Sequence, residues 1–252
     1  MRVLVSARGG VGGRVRLRQA MDITTVRDLE AAFRADAAAL GADREREVGE
    51  VFAELRRAYE DESRKYHSIE HIAECLALLD DVRSELESPA EVALAIWFHD
   101  AVYETQPLAA SEERSAALAE ASCARMGIPK PTAERIAAMV RATKTHELPS
   151  REDGGREGRE AAVRELDALT LFDIDLAILG ADPGRYARFE RDVRAEYAWV
   201  PEDAFRAGRA NVLGGFLARP AIYRTPRFRE CFEARARVNL ERAIAELTAK
   251  SD

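Results

Sequence analysis

A histidine and an aspartate stand side by side in an otherwise apolar stretch of the chain. His99 and Asp100 end the run Ala-Ile-Trp-Phe and are followed by Ala-Val-Tyr. Burying such a pair is costly unless a partner holds its charge. Imidazole and carboxylate groups are both good ligands of divalent metals. The pair therefore indicates either a metal site or a core histidine that a neighbouring carboxylate satisfies.

The chain has only four histidines, and the other three also lie in patterned surroundings. His67 and His71 are four residues apart, so a helix through both would carry them on one face, one turn apart. His146 follows an apolar-patterned helical segment. The alternatives are two half-buried histidines for the first pair, and for His146 a histidine favoured by the dipole at a helix C-terminus.

A second apolar run, residues 166–180, is interrupted by the carboxylates Asp173 and Asp175. Helical bundles build metal sites from His and Asp side chains that several helices direct inward. Histidines with unrelated roles in the core would not be expected to occur in the same sequence as two apolar runs that are each interrupted by Asp. We therefore favour a metal site built from a mixed set of these His and Asp side chains.

The elements that must position these residues are predicted to be helices. Ala, Leu, Glu and Arg dominate the sequence and favour helix, whereas alternating runs of Val, Ile and Thr are almost absent. We predict an all-α protein with one globular helical domain over residues 23–250 and the metal site between its central helices. Residues 1–22, basic and rich in glycine, are expected to be a disordered leader or the product of a start codon assigned too early.

Hydrophobic periodicity and the capping residues predict where the helices lie. One helix is expected to run through His67 and His71, one from Pro89 through Asp100, and one from Pro131 to about His146. The other predicted helices span about 26–40, 43–62, 111–126, 166–180, 183–199, 201–217 and 226–249.

Charge and cysteine content restrict the partners and the compartment. A net charge of −7 argues against a role in coating nucleic acid, and no apolar segment approaches the length of a membrane span. Three cysteines, an odd number without metal-motif spacing, indicate free thiols in a reducing cytoplasm. Cys75, one turn after His71, could be a thiolate ligand, but a small buried thiol is the commoner role.

The order His, then His-Asp, then Asp on separate helices resembles the HD-domain superfamily of metal-dependent phosphohydrolases. The segment Tyr-His-Ser-Ile-Glu-His at 66–71 looks much like the Tyr-His-Asn-x-x-His signature of the cyclic-nucleotide phosphodiesterases in that superfamily. The segment Ile-Asp-Leu-Ala at 174–177 is similar to their Ala-Asp-Leu-Ser. Over about 25–247 the chain looks like a bacterial branch of predicted metal-dependent phosphohydrolases.

The resemblance implies a ligand set for one or two divalent ions (Mn, Fe, Zn, Mg, Co or Ni). His71, His99 and Asp100 resemble the first three ligands. Asp175 resembles the fourth, with Asp173 as its rival. His146 resembles the extra histidine with which some HD proteins bind a second metal, and Asp100 would then bridge the two ions.

The resemblance also implies roles in catalysis. His67 resembles the acid that protonates the leaving group. Two positions depart from the phosphodiesterase pattern: Ser68 stands in place of Asn, and Glu104 stands in place of a further histidine. The phosphodiesterase mechanism is therefore not expected to carry over whole.

The expected activity is hydrolysis of a small phosphorylated substrate, a phosphate ester or a nucleotide, by metal-activated water. Lys144 is a candidate for holding a substrate phosphate, and some of Arg206, Arg209, Arg219 and Arg224 could do the same. For the arginines, a solvated face or salt bridges to the many acidic residues is the better-supported interpretation. Two other functions are compatible with the sequence: a di-iron oxygenase of the HD type, and a non-catalytic nucleotide-binding regulatory module.

Overall fold

The fold is described from a computed structural model over residues 26–106, 110–148 and 160–249. Within these ranges the chain is one compact domain with ten α-helices and no strand, which confirms the all-α prediction. The predicted leader, residues 1–22, lies outside the described residues. The helices are α1 Val26–Ala39, α2 Glu45–Tyr59, α3 Ile69–Val82, α4 Pro89–Phe98, α5 Ser111–Met126, α6 Lys130–Ala142, α7 Glu160–Asp175, α8 Pro183–Glu196, α9 Glu202–Leu217 and α10 Pro226–Thr248.

Helix α4 is the centre of the domain. Every residue from Ala90 to Phe98 is buried, because α1, α3, α5, α6 and α7 all pack against this helix. A helix surrounded on all sides needs apolar side chains on every face, which explains the unbroken apolar run before His99. Trp97 anchors the helix. Its ring meets the rings of Phe33 and Phe52 edge-on at 5.7 and 5.6 Å, and its carbonyl accepts a hydrogen bond from the Tyr59 hydroxyl at 2.9 Å.

The C-terminal helix α10 holds the chain just beyond α7. A short 3₁₀ helix, Leu176–Gly180, follows Asp175 and packs against α10. The amide of Asn239 donates hydrogen bonds to the carbonyls of Leu179 and Ala181, both at 2.9 Å. A Cβ at Gly180 would lie 2.7 Å from the Cβ of Phe232, so this close approach requires glycine.

Among the predicted helix boundaries that are wrong, three concern histidines. Helix α3 begins at Ile69, because Ser68 is extended (φ −112°, ψ 178°), so His67 lies outside the helix that carries His71. Helix α4 ends at Phe98, which leaves His99 and Asp100 in the turn that follows it. Helix α6 ends at Ala142, and His146 lies beyond it with a left-handed φ of +54°.

Other ends agree with the sequence patterns. Gly127 ends α5 with φ +86°, a left-handed conformation that glycine adopts without cost. Asp182 caps α8, its carboxylate accepting hydrogen bonds from the N–H groups of Gly184 and Arg185. Across the part of the chain that the structure describes, no helix is both long and apolar enough to span a membrane.

Candidate metal centre

Two histidines and one aspartate meet in the interior. His71 comes from the first turn of α3, His99 from the turn after α4, and Asp175 from the end of α7. The Nε2 atoms of the two histidines lie 3.2 Å apart. Oδ1 of Asp175 is 3.4 Å from Nε2 of His71 and 3.5 Å from Nε2 of His99. One ligand atom from each residue lies within 4.8 Å of those of the other two. These three residues form a group that could bind a metal ion.

Asp100 lies at the edge of this group. Its Oδ2 is 3.0 Å from Nε2 of His99 and 4.0 Å from Nε2 of His71. Arg64 fixes the backbone on which Asp100 stands: its guanidinium donates to the carbonyls of Asp100 at 2.7 Å and Ala101 at 2.9 Å. The same guanidinium also donates to the carbonyl of His67 at 3.3 Å, so one side chain ties two parts of the site together.

The orientation of His99 fits a metal ligand. Its Nδ1 lies 2.8 Å from the carbonyl oxygen of Ile96, which can only accept a hydrogen bond, so Nδ1 carries a proton. In a neutral ring Nε2 then directs its lone pair at His71 and Asp175. Metal-ligating histidines are oriented in this way by a backbone carbonyl on the other nitrogen.

The charges of the group also favour a cation. Burial raises the pKa of Asp175 and Asp100, but the surrounding histidines, His99 foremost, together outweigh burial and hold both pKa values below the ordinary range. Burial lowers the pKa of His99, and the two carboxylates more than reverse this effect. Without an ion, a protonated His99 balances one of the two carboxylate charges. A divalent ion would balance both carboxylates and leave the imidazoles neutral, as metal ligands must be.

Cys75 is close to His71, with its Sγ 3.6 Å from Nδ1. Burial raises the pKa of the Cys75 thiol well above its ordinary value, and the nearby Asp175 carboxylate adds to the effect. A neutral thiol is a weak ligand. The geometry therefore favours the buried-thiol interpretation.

Asp173, the rival of Asp175, points away from the group. Two residues along a helix rotate a side chain by about 200°. Asp173 is fully buried, and its oxygens accept hydrogen bonds from the backbone N–H groups of Arg224 at 2.6 Å and Thr225 at 2.7 Å. Its carboxylate anchors the segment that leads into α10, so Asp173 does not belong to the group.

His146 contacts the group from the side of Asp175. Its Nε2 lies 2.9 Å from Oδ2 of Asp175. Its ring packs against the rings of Phe172 and Phe216. Its backbone N–H donates a hydrogen bond to the carbonyl of Ala142 at 2.9 Å. A left-handed φ is uncommon for a residue other than glycine. This backbone conformation directs the ring toward Asp175.

His67 has a partner that the sequence analysis missed. Its Nδ1 lies 2.7 Å from Oε2 of Glu196, and its ring stacks on Tyr103 with 4.0 Å between centroids. The other oxygen of Glu196 accepts hydrogen bonds from the N–H groups of Lys65, Tyr66 and His67. Burial raises the pKa of Glu196, but the hydrogen bond with His67 is among the contacts that outweigh it and lower the pKa to about 2.

A signal for Glu196 is present in the sequence. Tyr186, Phe189 and Val193 form the buried stripe of α8, and Glu196 continues that stripe by the next three-residue step. A carboxylate at a core position is rare unless it is paired. The side chain is only 1% exposed, as this position on the stripe requires. A cavity of about 280 Å³ adjoins the pair and is lined by Ser63, Tyr103, Glu104, Thr105, Gln106 and Glu196.

The predicted phosphate-binding residues divide into two groups. Arg206 donates to the carbonyls of Glu246 and Ala249, and Arg209 is paired with Glu190, so both are engaged away from the candidate centre. Arg219 and Arg224 contact the carbonyls of Thr145 and His146, in the turn that presents His146. Lys144 is exposed in the same turn.

Comparisons with protein-family models, curated proteins and solved structures found no match to this chain. The fold and the site define an all-helical protein with a His/His/Asp group that could hold a metal ion.

Proposed function

We propose that this protein is a metal-dependent phosphohydrolase of the HD type that cleaves a small phosphate ester or nucleotide. The convergence of His71, His99 and Asp175, with Asp100 at its edge, carries the proposal. The order of these residues along the chain, which resembles that of the HD-domain superfamily, also supports it. Tyr103 and Glu196, the two partners of the His67 ring, line a cavity of about 280 Å³.

The four residues would hold one divalent ion. His146, which contacts Asp175, would be a ligand of a second ion. When bound, a divalent ion supplies Lewis acidity: it lowers the pKa of water and neutralises charge on a phosphoryl group. His and Asp ligands suit Mn, Fe, Zn, Co and Ni, and the carboxylates also suit Mg.

His67 would hold the proton that the leaving oxygen needs. Glu196 accepts from Nδ1, so Nε2 is the nitrogen that can carry a proton toward the substrate. Glu196 is therefore a positioning residue that fixes the tautomer and the ring orientation of His67, as a carboxylate partner does for other catalytic histidines. The stacked ring of Tyr103 limits rotation of the imidazole.

The decisive experiment combines metal analysis of the purified protein with turnover on a panel of a phosphomonoester, a phosphodiester and nucleotides. We expect bound metal and turnover in the wild type and loss of both in His99→Ala. Asp192→Asn is the control, because it removes the partly exposed partner of Arg188 in an ion pair of 3.5 Å. A folded wild type that binds no metal would refute the metal centre. Equal turnover by wild type and His99→Ala would refute the mechanism.

The contact between His146 and Asp175 also favours a second candidate, a di-iron oxygenase on the same fold. That function requires two iron ions per chain and the extra histidine. A coloured protein with two irons, which consumes oxygen and does not hydrolyse the panel, would select this alternative.

A further inference from the structure

Two arginines from different parts of the chain contact the turn that presents His146. Arg219 follows α9, and Arg224 lies in the segment before α10. Arg219 donates to the carbonyl of Thr145 at 3.0 Å, and Arg224 approaches the carbonyl of His146 at 3.5 Å. Both guanidinium groups therefore lie next to a residue that contacts the candidate metal centre.

The hydrogen-bonding capacity of these arginines is not used up. Nη1 of Arg219 is buried and has no hydrogen-bond partner among the described residues. The guanidinium of Arg224 forms an ion pair with Glu147, 3.7 Å away, whose side chain is 64% exposed. This contact is longer than a charge-assisted hydrogen bond, which measures about 2.7–2.9 Å. By contrast, Arg209 has a close carboxylate partner in Glu190.

The pair is also under electrostatic strain. Burial lowers the pKa of Arg219, and the positive charge of Arg224 lowers it further. Lys144, an exposed residue, adds a third positive charge to the same turn. Like charges held close, with an unpaired buried donor, favour binding of an anion.

We propose that Arg219 and Arg224 form a subsite for a second phosphate of the substrate, next to the candidate metal centre. The inference rests on the proposed function, because it assigns the reacting phosphate to the metal and a distinct phosphate to the arginines. Phosphate fits this pair because its several oxygens can accept from two guanidinium groups at once. The substrate class is therefore a phosphate ester that carries a further phosphate.

The first test needs neither metal nor turnover. Inorganic pyrophosphate is titrated into metal-free protein at low ionic strength and its binding is measured by calorimetry. We expect wild type to bind, and Arg219→Gln and Arg224→Gln each to weaken binding at least about tenfold, since each loses charge-assisted hydrogen bonds. Arg242→Gln, which removes an exposed charge of α10, is the matched control and should bind like wild type.

Failure to bind pyrophosphate, or equal binding by all four proteins, overturns the subsite. Metal content separates binding from a structural role, because both arginines also hold the His146 turn. We expect each variant to keep the metal content of the wild type. A variant that loses both metal and pyrophosphate would assign the arginines to holding the turn, and would also overturn the subsite.

The second test uses turnover on two esters that share a leaving group, one with and one without an additional phosphate. We expect Arg224→Gln to raise the KM of the doubly phosphorylated ester at least about tenfold with kcat unchanged, and to leave the simple ester unaffected. An equal effect on both esters overturns the subsite. If no ester is turned over, the proposed function fails, whereas the pyrophosphate titration still decides the fate of the subsite.

Discussion

Asp175 presents one carboxylate oxygen to His146 and the other to the remaining histidines of the centre. Its Oδ2 lies 2.9 Å from Nε2 of His146, whereas its Oδ1 is 3.4 Å from Nε2 of His71 and 3.5 Å from Nε2 of His99. One carboxylate therefore couples the turn after α6 to the ligands of α3 and α4. If a second ion binds near His146, Asp175 as well as Asp100 would be available to hold both ions.

We expect Asp175→Asn to be among the most damaging single substitutions for metal binding. An amide carries no charge, and its NH₂ group cannot accept from His146 or coordinate an ion. Loss of an outer-shell partner alone costs about 10- to 100-fold in metal affinity, so loss of a ligand should exceed about 100-fold. Competition with a chelator gives the affinity. Asp192→Asn should match the wild type, and a full-affinity Asp175→Asn would remove this residue from the centre.

Two substitutions of His146 separate its ring from its backbone. His146→Ala and His146→Gly both remove the partner of Asp175, so both should lower metal affinity by about 10- to 100-fold. Glycine relieves the left-handed conformation, which costs other residues about 1–2 kcal/mol. We therefore expect His146→Gly to be more stable than His146→Ala by about 1 kcal/mol in urea unfolding of the metal-free proteins. Equal stability of the two variants would contradict the strained backbone.

Arg64 should matter although it contributes no ligand. Its guanidinium donates to the carbonyls of His67, Asp100 and Ala101, and an ammonium group cannot span all three. We expect Arg64→Lys to lower the free energy of unfolding by about 2 kcal/mol, as is typical of lost charge-assisted hydrogen bonds, and to weaken metal binding. Arg57→Lys, at an exposed position of α2, is the control. An unaltered metal affinity in Arg64→Lys would show that the turn holds Asp100 without it.

The Glu196 carboxylate should make stability depend on acidity. Its pKa falls from 4.5 to about 2 on folding, so its contribution is complete above 4.5 and is lost as the pH drops toward about 2. Glu196→Gln lacks this contribution. We expect the stability difference between wild type and Glu196→Gln to be constant near neutral pH and to shrink below pH 4.5. Urea unfolding of both proteins over about pH 7 to 3 measures it. A difference independent of pH would contradict the lowered pKa.

The predictions from sequence succeeded where the determinants are local. The apolar run before His99 indicated a buried helix, and α4 is that helix. Gly127 ends α5 as its position suggested. His67 was assigned to the helix of His71 from spacing alone, but the extended backbone of Ser68 starts the helix two residues later. Periodicity constrains a helix interior, whereas its first turn depends on contacts made elsewhere.

The partners that orient the site were harder to predict, because they are distant in sequence. Glu196 lies 129 residues beyond His67, and no local pattern states which core carboxylate will meet which histidine. To decide between Asp173 and Asp175 as the ligand, the position of Thr225 is needed, because the N–H of Thr225 donates a hydrogen bond to the carboxylate of Asp173. The sequence supplied the candidate ligands, and tertiary contacts select among them.

The packing of α10 on the 3₁₀ helix Leu176–Gly180 has a practical consequence for fragment design. Asn239 and the space left by Gly180 fix the chain that leaves Asp175, although α10 offers no candidate ligand. A shortened protein that keeps α3, α4 and α7 but lacks α10 would retain every candidate ligand. It would lose the contacts that fix the chain next to Asp175. Transplanting this centre into another helical scaffold therefore requires a counterpart of α10 as well as the four side chains.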